Sequence, residues 1–141
     1  MKSKSLIFTA TYNESENINN YLNILTKIPD IDILIVDDNS PDGTSKKIED
    51  YKKKFINIKL IIRDGKEGLD TAHKLAFKYA IENNYQNLIT MDADLSHDPK
   101  IIPNFIKELK DYPFVIGSRY IKGGRNETKL MRYLLSIIGN K

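Results

Sequence analysis

The chain has 141 residues, 40% of them hydrophobic, which is the size of one ordinary domain with apolar side chain enough for one core. Its formal charge of +3, from 22 basic and 19 acidic side chains, is spread along the chain without the dense Lys/Arg patch that phosphate-backbone binding needs, so no nucleic-acid partner is expected. The absence of cysteine excludes disulfides and thiolate metal sites, steers any metal toward oxygen ligands, and agrees with a reducing cytosol.

The first apolar run, Leu6-Ile7-Phe8, is too short for a signal-peptide core. It opens the first expected strand, Leu6 to Thr11. Ile18, Tyr21, Leu22, Leu25 and Ile28 then fall at helical spacing, and Ile31 to Val36 is a second strand. Thr44 to Lys54 is a poorer helix whose apolar face is Ile48 and Tyr51, followed by a strand over Ile58 to Arg63. Leu69, Ala72, Ala76, Tyr79 and Ala80 mark the next helix, and Asn87 to Met91 the next strand. Ile101, Ile102, Phe105, Ile106 and Leu109 mark another helix with Pro99 in its first turn, and Phe114 to Gly117 reads as a fifth strand. Leu130 to Ile138 is an apolar segment begun by Lys129 and Arg132; the reading preferred is a core-packing helix, with peripheral contact to a membrane as the alternative. Nowhere do about 18 apolar residues run uninterrupted, so no membrane-spanning helix is expected.

Nearly continuous apolar strands alternating with amphipathic helices predict one α/β domain over 1–141, with a mainly parallel sheet covered on both faces. Ligands in such sheets bind beyond the carboxyl ends of the strands. The loops there are polar: Thr11-Tyr12-Asn13-Glu14, Asp37 to Gly43, Arg63 to Gly68, Asp92-Ala93-Asp94 and Ser118-Arg119-Tyr120.

Asp92 and Asp94 flank a small residue directly after a buried strand, so both carboxylates can reach one side of a cleft, where oxygen ligands suit Mg²⁺ or Mn²⁺ and leave coordination positions for substrate phosphates. Taken alone, Asp-x-Asp is a weak motif, and an acidic cap for the Pro99 helix is the simpler explanation. Asp37, Asp38 and Glu14 at neighbouring strand ends favour the metal, since acids without equal cationic partners repel one another unless a cation or ligand compensates. Asp38 is either an acceptor for a nucleobase or ribose or an ordinary turn acid, and Asp42, before Gly43, is read as a turn acid. The donor fork of Arg119 suits a phosphate. Asp64-Gly65-Lys66-Glu67-Gly68 is not a P-loop, because no Ser or Thr follows the lysine, and its glycines fit a tight turn. Neither His73 nor His97 has a second histidine at ligand spacing, and His97 is left a role in orienting a neighbour.

In order along the chain, Thr11-Tyr12-Asn13-Glu14, Val36 to Thr44, Gly68-Leu69, Asp92 to Pro99 and Gly117 to Tyr120 closely resemble family 2 glycosyltransferases, and within them the dolichyl- or polyprenyl-phosphate mannosyltransferase branch. The resemblance implies a GT-A fold, GDP-mannose as donor, a dolichyl or polyprenyl phosphate as acceptor, and a cytoplasmic location that includes the cytoplasmic membrane surface. It implies that Tyr12, Glu14, Val36 and Asp38 hold the nucleoside, that Asp92 and Ala93 lie along the donor, that Asp94 and Ser96 bind the divalent ion, and that Arg119 contacts the diphosphate. Asp92, Asp94 and Arg119 are then the catalytic candidates for an inverting displacement.

Ala10 stands where the family usually has proline, and Asp70 where it commonly has glycine, which brings another acid toward the rim. The match reaches the N-terminal part of the family's catalytic domain, so the chain is expected to be truncated after Lys141. A phosphoacceptor receiver domain is a rival of similar length, but it carries its acid pair after the first strand and a lysine after the fifth. A lipid-phosphate transferase using a UDP-sugar and a non-catalytic nucleotide-sugar-binding remnant remain the alternatives.

Overall fold

The computed structural model describes residues 5–118. β1 (Ser5–Thr11), β2 (Ile31–Asp37), β3 (Ile58–Ile62) and β4 (Asn87–Thr90) form one parallel sheet in the order β3-β2-β1-β4. The helices α1 (Ile18–Leu25), α2 (Thr44–Lys52), α3 (Leu69–Glu82) and α4 (Ile102–Glu108) connect or follow the strands, and a 3₁₀ turn over Pro99–Ile101 leads into α4. The expected α/β architecture with a parallel sheet is therefore the one found, with strand ends moved by a residue or so.

The central strands are apolar on both faces because both are covered. Ile7, Ile33 and Ile35 point to the side of α1 and α2, where Ile18, Tyr21, Leu22, Leu25 and Ile48 complete a buried cluster. Leu6, Phe8, Leu34 and Val36 point to the other side, under Ala72, Ala76 and Ala80 of α3. That row of alanines at helical spacing lets the α3 backbone lie close to the sheet, so its burial is carried by the larger strand side chains. Each fully buried Leu, Ile or Phe contributes about 1.5–3 kcal/mol of transfer free energy.

Strand order decides where a ligand can sit. The chain runs outward from β1 through β2 to β3, then crosses back to place β4 on the other side of β1. The order reverses between β1 and β4, which opens a crevice at their carboxyl ends. The loops after β1 and β4 border that crevice, and the loop after β2 lies beside the first.

The fifth expected strand is not formed. Phe114 to Gly117 makes no sheet pairing, and Phe114 and Ile116 are 75% and 70% exposed. The segment passes over α4 instead: a Cβ added at Gly117 would lie 3.1 Å from the Phe105 ring. A run of four apolar residues becomes a strand only where it finds a ladder partner, and against α4 it has none. Four strands, not five, therefore define the described rim. Arg119 and the segment Leu130 to Ile138 lie outside the described residues, within which no helix is long and apolar enough to cross a membrane.

Candidate functional site

The loops after β1 and β2 are fastened to each other by side chains at their base. Thr11 and Asp37 are register partners, and the Thr11 hydroxyl donates to Asp37 Oδ1 at 2.6 Å. Asp37 is fully buried and also accepts from Ser40 N at 2.8 Å, Ser40 Oγ at 2.7 Å and Ser45 Oγ at 2.6 Å. It organises the turn and is not offered to a ligand.

Three main-chain N–H groups of the first loop donate to side chains of the second: Asn13 N to Ser40 Oγ (3.0 Å), Glu14 N to Thr44 Oγ1 (3.0 Å) and Ser15 N to Asp42 Oδ2 (2.9 Å). Asp42 also accepts from Thr44 N and Oγ1. Desolvation alone would raise its pKa, but the hydrogen bonds from Thr44 and Ser15 outweigh that and lower it to about 2. Asp42 is thus the turn acid expected of it. Asn13 and Asn39 have φ of 61° and 55°, a conformation that asparagine tolerates better than most residues.

This clamp holds Tyr12 and Glu14 outward. Tyr12 is 37% exposed, and Lys66 Nζ sits 3.7 Å from its ring centroid, a cation–π contact between the loops after β1 and β3. Glu14 accepts from Asn17 Nδ2 at 3.0 Å, and its carbonyl takes Asn17 N and Ile18 N at the start of α1. Val36 differs from its neighbours on the expected list: its side chain is fully buried with Leu6, Phe8 and Leu34, so only its main chain, next to the end of β2, is available to a ligand.

Asp38 is paired. Arg63, just beyond β3 and 8% exposed, donates Nε–H to Asp38 Oδ1 at 2.6 Å, and its Nη2 forms an ion pair with the same oxygen. The remaining donors reach Thr71 Oγ1 and the Gly68 carbonyl. The picture of uncompensated acids is corrected accordingly: Asp37 is satisfied by hydroxyls and one amide, and Asp38 by an arginine. The signal for Arg63 was present in the sequence as a cation closing the apolar run Ile58 to Ile62, where burial demands a partner.

The carboxylates after β4 behave otherwise. Asp92 and Asp94 are exposed while Ala93 between them is buried, so both acids face solvent at the turn that follows β4. Neither is bonded to a Lys or Arg among the described residues; His97 Nδ1 lies 3.8 Å from Asp92 Oδ2. Leu95, at φ 61°, turns the chain so that Ser96 N donates to Asp94 Oδ1 at 2.9 Å. Desolvation pushes the Asp94 pKa up, but the Ser96 hydrogen bonds and the nearby His97 more than offset it, leaving the pKa lowered. The cap of the following helical turn is Asp98, which accepts from Lys100 N, so Asp92 and Asp94 are not its cap.

No group of three or more His, Asp or Glu side chains converges on one point among the described residues. Solvent-exposed oxygen donors such as Asp92, Asp94 and the Ser96 hydroxyl are of the type that suits Mg²⁺ or Mn²⁺ completed by substrate phosphates and water, and do not make a closed protein cage. The residues fit the ion in that sense. Asp70, which replaces a usual glycine, leaves the turn intact: it lies in the first turn of α3 and pairs with Lys74 at 3.3 Å.

Residues 6–140 match the model of glycosyl transferase family 2, and the chain belongs to that family. It is 36% identical over 121 residues to an undecaprenyl-phosphate mannosyltransferase of Micrococcus luteus, covering 85% of this chain and 50% of that protein. It is 37% identical over 129 residues to a dolichol-phosphate mannosyltransferase of Pyrococcus furiosus, covering 88% and 35%, and 35% identical over 92 residues to that of Saccharomyces cerevisiae, covering 65% and 33%. The chain thus spans half or less of the length of these relatives. Its fold matches a mannosyltransferase of Pyrobaculum calidifontis, solved in complex with GDP-Man and Mn²⁺, with a TM-score of 0.56 and 19% identity over 67% of this chain and 28% of that one.

Proposed function

We propose that this chain forms the donor-binding part of a polyprenyl-phosphate mannosyltransferase that uses GDP-mannose and Mg²⁺ or Mn²⁺. The observation that carries the reading is the Asp92/Asp94 pair, exposed with no Lys or Arg partner among the described residues at the point where strand order reverses, beside the clamped loop that presents Tyr12 and Glu14. The relatives named dolichol- and undecaprenyl-phosphate mannosyltransferases, and the fold shared with a protein solved with GDP-Man and Mn²⁺, support the donor and acceptor classes.

Tyr12, Glu14 and Asp38 hold the nucleoside; Asp92 and the backbone at Ala93 lie along the sugar diphosphate; Asp94, aided by Ser96, holds the ion. Arg119, outside the described residues, contacts the diphosphate. The bound ion supplies positive charge against the departing diphosphate. A lipid phosphate is already an anionic nucleophile, so attack at the anomeric carbon with inversion needs no strong general base, and the protein's task is alignment and charge neutralisation. An acceptor of that kind is held in a membrane, and the reading therefore takes the reaction to occur at a membrane surface, the cytoplasmic one by the same resemblance.

Calorimetry with GDP-mannose, GDP and the UDP-sugars, each with and without Mn²⁺, followed by transfer to a polyprenyl phosphate, tests the proposal. Mn²⁺-dependent preference for GDP-mannose and a mannosyl-lipid product are expected. Preference for a UDP-sugar overturns the donor, and binding without transfer reduces the chain to a donor-binding unit.

A further inference from the structure

The mechanism above leaves one buried cation without a task. Arg63 is 8% exposed and joins three segments, the end of β2 at Asp38, the Gly68 turn and Thr71 in the first turn of α3. Its grip on Asp38 is one-sided: Nε and Nη2 both meet Oδ1. Among the described residues Oδ2 accepts no hydrogen bond, yet it is not sealed from solvent as an orphaned buried atom would be. A bidentate arginine–carboxylate pair engages both oxygens in parallel and takes one lone pair from each. Here one oxygen is immobilised and the other remains an acceptor.

We propose that Arg63 is a positioning residue for nucleoside recognition, holding Oδ1 of Asp38 so that Oδ2 is presented at the rim as the acceptor for an N–H or O–H group of the nucleoside. This rests on the reading of Asp38 as a nucleoside contact. A free aspartate on a loop would divide its time among rotamers and lose that ordering entropy on binding; the guanidinium, itself fixed by Thr71 and Gly68, removes the cost beforehand. Lysine cannot substitute, because one ammonium does not span all three partners in a fixed plane.

Titration of the whole chain with GDP and with pyrophosphate, each with Mn²⁺, separates the nucleoside from the diphosphate. Asp38→Asn keeps an oxygen for Arg63 but replaces the presented acceptor by a donor. Asp38→Asn and Arg63→Lys are each expected to weaken GDP binding roughly tenfold or more and to leave pyrophosphate binding within about twofold. The double variant is expected to be no weaker than the poorer single one, since both changes remove the same contact. If Arg63→Lys fails to fold, the Arg63 Nε–H resonance of the unaltered chain is followed instead; it is expected to shift with GDP and not with pyrophosphate. Wild-type GDP affinity in Arg63→Lys, equal loss for both ligands, or an unmoved resonance overturns the proposal while Asp38→Asn still weakens GDP. If Asp38→Asn binds GDP normally, the donor-site reading itself fails.

Discussion

The two sides of the crevice are built on opposite principles. On the β1/β2 side, the side chains of Thr11, Asp37, Ser40, Asp42 and Thr44 and the main-chain N–H groups of Asn13 to Ser15 hold the two loops together, with Asp37 wholly buried at the centre. On the β4 side, Asp92 and Asp94 are exposed, and among the described residues their carboxylates meet only Ser96, which donates to Asp94, and His97, which lies near Asp92. The difference separates scaffold from reagent. Carboxylates that already have their donors cannot take a cation without giving something up, whereas carboxylates held together without cationic partners gain from one.

Substitutions should separate these roles by their effects on stability, beginning with the largest. Asp37→Ala leaves four hydrogen bonds unmade in a dry turn, and a loss of about 3–5 kcal/mol in urea unfolding is expected; a loss under about 1 kcal/mol would mean that the clamp does not support the fold. Gly68→Ala is expected to cost about 1–2 kcal/mol, because φ is +93° there and the new Cβ would lie 2.8 Å from Asp70 Oδ1. In the companion double variant with Asp70→Gly the contact part of that cost should vanish and the backbone part remain.

Acid titration probes the clamp more gently. Asp42 has a folded pKa of about 2 against an ordinary value of 3.8, so its contribution to stability is complete above 3.8 and is lost as pH falls through about 2. The group is exposed, so solvent screening keeps this contribution to about 1 kcal/mol or less. Asp42→Asn should flatten the stability profile between those pH values; an unchanged slope would assign the acid sensitivity to other carboxylates. The smallest effect on stability, within about 0.5 kcal/mol, is expected for Asp94→Ala on the open side.

This contrast also explains which features could be read from the sequence. Continuous apolar runs such as Ile31 to Val36 specify a strand covered on both faces, and the helix periods of α1 and α3 specify what covers it, so the parallel α/β sheet was legible. Phe114 to Gly117 was not, because four apolar residues fit a strand or a segment lying over a helix equally well, and only tertiary packing against Phe105 decides. At the site, Asp92-Ala93-Asp94 was legible because two acids flanking a small apolar residue just past a buried strand stay in solvent while the residue between them packs inward. The division of labour between Asp37 and Asp38 was not: adjacent identical residues face opposite ways, one toward Ser40 and Ser45, the other toward Arg63, which is distant in sequence. Burial of the Val36 side chain follows from β2 being covered on both faces, which a motif match does not register.

The most direct test of the account is the Mn²⁺ dependence of GDP-mannose affinity in the unaltered chain and in Asp94→Ala, measured by calorimetry on samples whose unfolding curves coincide. Wild type is expected to bind the donor at least about tenfold more tightly with Mn²⁺ than without, and Asp94→Ala to bind it equally weakly in both conditions. A variant that keeps the full Mn²⁺ enhancement would contradict the assignment of the open carboxylates as the place where the ion is held.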